Sequence, residues 1–469
     1  MNKTITLPFH QDIQIRLPDS LDLISTYVLQ EQQDWFEDEI HFVRHLLRPG
    51  QKALDIGANY GLFSLSMARC VGSSGRVWSI EPASGTAALL KQSVALNGFD
   101  QVKVLQLALS DRLGTARLAL NDNAELNELI RDANTQVPSE EVPLSTLDTL
   151  MDQHDWQGID FVKMDAEGEE AAIVRGGRRF LEQNSPLVQF EVKAGTQIND
   201  SLIQVFEAIG YQVYRLIPGL HVLQALEPGQ VLDSFQLNLF CCKPDRAEDL
   251  ARRGLLLLPG QALPTQQARE LAASFARSGQ DRLHALPYGQ ALSAIWERSR
   301  EAPGHARAVE ALALHQLAHT ADQATGVRVA ALNASLQILT DLANEQPQLM
   351  HHASLARVAR ELGERKRSNR ALETAWHRIQ QTREINLSLP FLTPVPESET
   401  VEPAGAVDLW SICSLLEGLE RGLGYSSFFM GQESLERLEA LRQLGLGSPQ
   451  MQRRLDLMLR RHGLTQPAA

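Results

Sequence analysis

The segment Leu54-Asp55-Ile56-Gly57-Ala58-Asn59-Tyr60-Gly61 reads as an apolar strand entering a glycine turn. Ala53 to Ile56 supplies the strand, and a helix begins behind the turn with Leu62, Phe63, Leu65, Met67 and Ala68. Gly57 and Gly61 let the backbone approach a ligand, and the helix start offers N–H donors that lack intrahelical partners. A second apolar strand, Arg76 to Ile80, ends in Glu81-Pro82. An acid at that place can accept both hydroxyls of a ribose in a doubly wound sheet.

The spacing narrows the ligand. Dinucleotide sites use Gly-x-Gly-x-x-Gly with a pyrophosphate on the helix N-terminus. Here Asp55 stands where the first glycine would be, and the motif reads Asp-x-Gly-x-Asn-x-Gly. An acid there repels a pyrophosphate but suits the ammonium of an amino-acid cofactor through charge-assisted hydrogen bonds. S-adenosylmethionine carries both a ribose and such an ammonium. The plain alternative, a strand–turn–helix with no ligand, is weakened by Glu81 at the end of the next strand.

A chain of 469 residues exceeds one ordinary domain, and two or three are expected. With 43% hydrophobic and 22% charged residues it has the composition of a globular protein able to fill a core. No basic-plus-apolar leader is evident, and the apolar runs, such as Leu255 to Leu258, are too short to span a bilayer. A cytoplasmic protein with no membrane span is therefore expected. The four cysteines (Cys70, Cys241, Cys242 and Cys413) lack metal-ligand spacing, which points to reduced thiols. Residues 1–245 carry 33 acids against 19 Lys and Arg, a balance of −14, whereas the remainder balances at +1. So acidic a chain is a poor nucleic-acid ligand, and nucleic acid is not expected as a partner.

Outward from the motif, residues 3–17 alternate around His10-Gln11-Asp12 as a short hairpin, and Trp35 to Leu47 reads as a helix that would cover the site. Strands are expected at Val102–Leu107, Phe161–Met164, Leu187–Val192, Tyr211–Leu216 and Phe235–Cys242, with helices between. The polar stretch Asn121 to Glu141 reads as an irregular insertion over the active-site edge. This alternation predicts an α/β fold with a mostly parallel sheet covered by helices. Beyond residue 245 only helices are expected: Gln266–Ser278, Gly289–Arg300, Ala306–His319, Arg328–Asn344, Ala353–Leu362, Asn369–Gln381, Leu409–Leu423, Glu433–Leu444 and Gln450–His462. The division expected is a hairpin and covering helix at 1–48, a cofactor domain at 49–245, a helical domain at 246–388, a Pro-rich linker at 389–404 and C-terminal helices at 405–469. His352 to Ile379 resembles a tetratricopeptide hairpin, although no 34-residue repeat is visible, and an ordinary helical bundle reads equally well.

Residues about 30–245 resemble the FkbM-like family of S-adenosylmethionine-dependent methyltransferases. The resemblance rests on Pro49-Gly50, Asp55 to Gly61, Glu81-Pro82, Asn97, Ala108-Leu109-Ser110-Asp111, Leu147-Asp148 and Lys163-Met164-Asp165-Ala166-Glu167-Gly168-Glu169, with Gly176-Gly177 and Glu191 following. It implies a class I, Rossmann-like, seven-stranded mostly parallel sheet and S-adenosyl-L-methionine as cofactor. Known members mostly methylate hydroxyls of sugars, polyketides or glycolipid-type products, so the resemblance implies O-methylation of a small-molecule or glycan acceptor. Asp55, Gly57, Asn59, Gly61, Glu81, Ala108 and Asp165 are the cofactor-binding candidates. Asp165, following the strand Phe161–Met164, and Glu191, ending the next, face the crevice, and with Glu167 they are the catalytic candidates. Asp165 also reads as a helix N-cap. His41, His45 and His154 read as surface or packing residues, and Lys163 as a strand residue with an outward tip. No carboxylate trio of metal-binding spacing stands out, and no metal is expected. The alternatives are a protein or peptide methyltransferase that uses the helical half as a docking platform for a protein partner, and an inactive cofactor-binding scaffold. A nicotinamide dehydrogenase is disfavoured by Asp55.

Overall fold

The computed structural model describes residues 3–121, 123–130, 136–194, 197–198, 200–227 and 229–464. The chain divides into two compact units. The first comprises residues 1–216, 223–230 and 236–256, and the second 217–222, 231–235 and 257–469.

The first unit is built on the expected mostly parallel sheet. Its strands are β1 (Lys52–Ile56), β2 (Arg76–Ile80), β3 (Val102–Leu105), β4 (Phe161–Met164), β5 (Leu187–Glu191), β6 (Gln212–Ile217), β7 (Val222–Ala225), β8 (Asn238–Cys242) and β9 (Leu256–Leu257), in the order β9-β7-β6-β8-β5-β4-β1-β2-β3. The seven expected strands are present, and the short β7 and β9 extend one edge to nine. β1 to β5 pair in parallel, whereas β8 runs antiparallel between β5 and β6. β1 and β4 are buried almost throughout, as a sheet covered on both faces requires. The strand order reverses between β1 and β4, so their carboxyl ends border a crevice.

Several local expectations are refined. The N-terminal hairpin pairs Thr4–Phe9 with Ile13–Pro18, and the covering helix spans Asp38–Leu46. A second helix, Ile24–Gln32, precedes it and was not legible in the sequence. The expected strand Val102–Leu107 stops at Leu105, and Ala108–Leu109 instead joins a separate three-stranded sheet with Gly114–Ala119 and Ser139–Ser145. The insertion expected at Asn121 to Glu141 is therefore partly a strand, paired Ala119↔Ser139 to Gly114↔Leu144. Its residues 122 and 131–135 lie outside the described residues.

In the second unit, His305–Ala318 packs on Thr325–Glu345 and Leu349–Glu361 on Arg365–Thr382. The expected helix Gln266–Ser278 is broken by a 3-10 turn at Ala273–Phe275 into Thr265–Ala272 and Ala276–Ala285. The stretch 389–404 is no open linker. Leu389, Phe391 and Leu392 are buried in the same hydrophobic core as Trp296 and Trp410, because apolar residues among the prolines outweigh their turn-forming tendency. No helix among the described residues is long and apolar enough to cross a membrane. All four cysteines are free thiols.

Candidate functional site

The turn after β1 is shaped by close packing. Gly57 (φ +74°) passes so near the loop after β4 that a Cβ there would sit 1.7 Å from the Asp165 carbonyl oxygen. Its N–H and that of Ala58 both donate to the Ile80 carbonyl at 3.0 Å, which ties the turn to the end of β2. Asn59 adopts φ +49°, a left-handed conformation that asparagine tolerates, and its N–H donates to Glu81 Oε2 at 2.9 Å. Glu81 Oε1 accepts from Ala83 N at 2.9 Å. Each Glu81 oxygen thus holds one backbone N–H and keeps a lone pair for a ligand hydroxyl. Burial, opposed by those two N–H groups, pushes the Glu81 carboxyl up to about 7, with Asp55 and Glu140 adding to the rise. Gly61 (φ +98°) caps the helix Leu62–Val71, where a Cβ would meet Leu90 Cδ1 at 2.3 Å.

Asp55 lies beneath this turn, fully enclosed. Ser64 Oγ donates to its Oδ2 at 2.6 Å and lies 2.6 Å from Ser79 Oγ, whereas Oδ1 is buried without a hydrogen-bond partner. Burial raises the Asp55 carboxyl above its ordinary value, and Lys163, in register with it on β4, opposes that rise. An enclosed acid with one unfilled oxygen fits a cationic ligand and fits a pyrophosphate badly. Ala108 is buried in a small cluster with Leu118, Val142, Leu144 and Ala83, the last of these two residues beyond Glu81. That position is compatible with the wall of a base pocket.

The catalytic candidates converge. Phe190 pairs with Met164, so Asp165 and Glu191 leave neighbouring strands at the same level. Acceptor oxygens of Asp165, Glu167 and Glu191 all lie within 4.8 Å of one another. No carboxylate trio was visible in the spacing, because Glu191 comes from the next strand. Lys163 Nζ donates to Asp165 Oδ2 at 2.8 Å and lies 5.0 Å from the Phe63 ring centroid. Its expected outward tip is therefore corrected: the ammonium is buried, because β4 is central and residue 163 faces the same side as residue 165. Burial pulls the Lys163 ammonium down, but Asp165, Asp55 and Glu37 outweigh it and hold it above its ordinary value. Burial, then Asp165, pushes Glu167 up to about 8 and Glu191 up to about 9. The N-cap reading of Asp165 is also corrected. The next helix begins at Glu170, capped by Glu169, and Glu170 Oε1 receives the N–H groups of Ala166 and Gly168 at 2.8 and 3.3 Å. Asp165 is free of that structural duty.

Two neighbours escaped sequence reasoning. Glu37 precedes the covering helix and is half-buried, accepting from Trp35 Nε1 at 2.8 Å and Asn238 Nδ2 at 3.0 Å. Tyr60 is buried next to Glu81 and Glu125, its hydroxyl raised first by burial and then by both acids. Only position in the motif could have flagged Tyr60, and no local pattern marks Glu37. His41 stays half-exposed near Asp34, 4.0 Å away, rather than reaching the carboxylates.

Residues 55–213 match the family model described as the methyltransferase FkbM domain. The chain carries an FkbM methyltransferase domain. The FkbM domain is of the S-adenosylmethionine-dependent class. Among solved structures, the chain is similar to methyltransferase FkbM from Methylobacillus flagellatus at 18% identity and TM-score 0.31, covering 46% of this chain and 50% of that one. It spans only half the length of that relative. It is also similar to a SAM-dependent O-methyltransferase from Thermotoga maritima, at 14% identity and TM-score 0.26 over 49% of this chain and 73% of that one. Aeropyrum pernix fibrillarin with natively bound S-adenosyl-L-methionine gives 12% identity and TM-score 0.28 over 52% and 100%. No curated relative matches the chain.

Proposed function

We propose that the protein transfers a methyl group from S-adenosyl-L-methionine to a hydroxyl of a sugar, glycan or natural-product acceptor. The observation that carries this reading is the carboxylate cluster Asp165, Glu167 and Glu191 at the carboxyl ends of β4 and β5, with Lys163 fixing one member.

When bound, the cofactor supplies an electrophilic methyl on a sulfonium. Glu81 would hold its ribose hydroxyls, and Asp55 would supply a negative field toward its cationic end from beneath the turn. Gly57, Asn59 and Gly61 shape the turn, and Ala108 would line the adenine side. An acceptor hydroxyl must be aligned with the methyl and relieved of its proton, and alignment contributes most of the rate. Asp165, oriented by the Lys163 ammonium, accepts the hydroxyl's hydrogen bond. The hydroxyl's single proton passes to whichever of Glu191 and Glu167 is ionised, a form that grows as pH rises toward their raised values. The helical unit recruits or orients the acceptor, and its arginines suit an anionic carrier such as a phosphate-bearing glycan precursor.

The experiment is methyl transfer from isotopically labelled S-adenosyl-L-methionine by the full chain to a panel of sugars, phosphorylated glycans and peptides, read by mass. Label on a hydroxyl of a sugar or glycan supports the reading. Cofactor binding with label only on peptides favours the protein-acceptor alternative, and failure to bind the cofactor overturns both.

A further inference from the structure

The second unit holds a cluster of ligand-type side chains that methyl transfer does not use. The helix His305–Ala318 carries His315, and His319 at its C-cap follows four residues later, so both rings lie on one face. Glu361 ends the helix Leu349–Glu361. His315 Nε2 lies 2.9 Å from Glu361 Oε2, His319 Nε2 lies 3.0 Å from the same oxygen, and the two nitrogens are 3.1 Å apart. Three atoms able to present lone pairs therefore close a triangle. Arg357, one turn before Glu361, donates to the other carboxylate oxygen, Oε1, at 2.6 Å and is itself bound to Glu399 Oε1 at 3.2 Å. Beside that guanidinium the Glu361 carboxylate is ionised and can only accept.

Hydrogen bonds satisfy this triangle poorly. With no proton on either Nε2, three lone pairs face one another. With one, the other nitrogen still opposes the carboxylate oxygen. With two, both N–H groups crowd onto a single oxygen. A cation at the centre satisfies all three atoms at once. Zinc takes imidazole nitrogen at roughly 2.0–2.1 Å and carboxylate oxygen at roughly 2.0–2.2 Å, which in tetrahedral geometry puts ligand atoms about 3.3 Å apart. The observed edges are close to that value.

We propose that His315, His319 and Glu361 form a three-ligand site for a zinc-class divalent ion. The fourth position opens to water beside His319, whose side chain is 24% exposed against 3% for His315. Two imidazoles select such an ion over magnesium or calcium, which prefer all-oxygen sites. Arg357 is a positioning residue that turns the carboxylate toward the ion, the usual task of a partner behind a metal ligand. The ion joins helix His305–Ala318 to helix Leu349–Glu361, which pack chiefly on other partners. It also firms the ground under the turn Pro218–Leu220, since a Cβ on Gly219 would lie 2.5 Å from Glu361 Cβ.

The test uses the full chain stripped with a chelator, then titrated with Zn²⁺ by calorimetry and with Co²⁺ by visible absorption. One equivalent per chain is expected, with a melting temperature raised by Zn²⁺ and unmoved by Mg²⁺. His319→Ala, at the more open corner, should remain folded by circular dichroism, weaken Zn²⁺ binding at least tenfold and abolish the Co²⁺ bands. Glu361→Gln should do the same. The proposal fails if the folded apo protein takes up no Zn²⁺, or if His319→Ala binds it as tightly as the wild type.

Discussion

Lys163 and Asp165 form a 2.8 Å ion pair across a two-residue step at the end of β4. The step matters because residues two apart on a strand share a face. The lysine is enclosed and the aspartate one-third exposed, so one partner is fixed and the other presents an oriented oxygen to the crevice. Asp165→Asn keeps the shape and an acceptor for Lys163 but removes the charge. Turnover should fall about a hundredfold or more while the chain stays folded, in labelled methyl transfer beside circular dichroism. Full activity would remove Asp165 from the chemistry.

Lys163→Met tests the other side of that pair. It leaves Asp55, Glu37 and Asp165 without their shared cation, and removing one partner of a buried ion pair costs about 3–5 kcal/mol. Denaturant titration should show a loss of that order. A loss below about 1 kcal/mol would mean that the carboxylates simply take up protons instead.

Glu81→Ala should weaken S-adenosyl-L-methionine and its demethylated product by about 1.5–3 kcal/mol each, as for a hydrogen bond involving a charged group. Calorimetry measures this directly, with NAD as the non-binding control. Equal affinity in wild type and variant would remove the ribose assignment.

The raised carboxyls set a pH dependence with a defined sign. Glu191 holds its proton up to about 9 and Glu167 up to about 8. An unfolded glutamate loses it near about 4.3. Between those values the folded state binds protons that the unfolded chain has released, so stability falls as pH rises through that window. Glu191→Gln mimics the neutral acid and should flatten the fall, raising the melting temperature at pH 8.5 relative to wild type but not at pH 4. Wild-type turnover should rise toward pH 9 as the base forms appear. A melting profile of Glu191→Gln parallel to wild type would contradict this account.

Gly57→Ala places a methyl 1.7 Å from the Asp165 carbonyl in a left-handed backbone conformation. The two loops must part, and a loss of about 3 kcal/mol or more is expected, together with loss of cofactor binding. Wild-type melting and affinity would show that the loops can part at little cost.

What the sequence made legible was whatever lies contiguous. Asp55 to Gly61 is one turn, and Glu81 ends the next strand, so both could be read as a pair. Lys163 was misread because a lysine's ordinary place is the surface, and only its central strand encloses it. Glu37 and Tyr60 became site neighbours through packing that no local pattern encodes. Asp165 and Glu191 meet because β4 and β5 are adjacent and in register, which makes 26 residues of separation irrelevant. The Pro-rich stretch looked like a linker by composition, yet Leu389, Phe391 and Leu392 bury themselves. His315 and His319 carried a readable four-residue spacing, but Glu361 is 42 residues beyond.

The chain changes unit at 216/217, 222/223, 230/231, 235/236 and 256/257. Ile217, Leu220 and Val222 belong to the hydrophobic core of the helical unit. A cut after Arg246 therefore does not release a finished domain; it orphans three apolar residues whose companions lie downstream. During synthesis those side chains leave the ribosome long before the helices that will shelter them, so this stretch must wait, exposed, for the rest of the polypeptide.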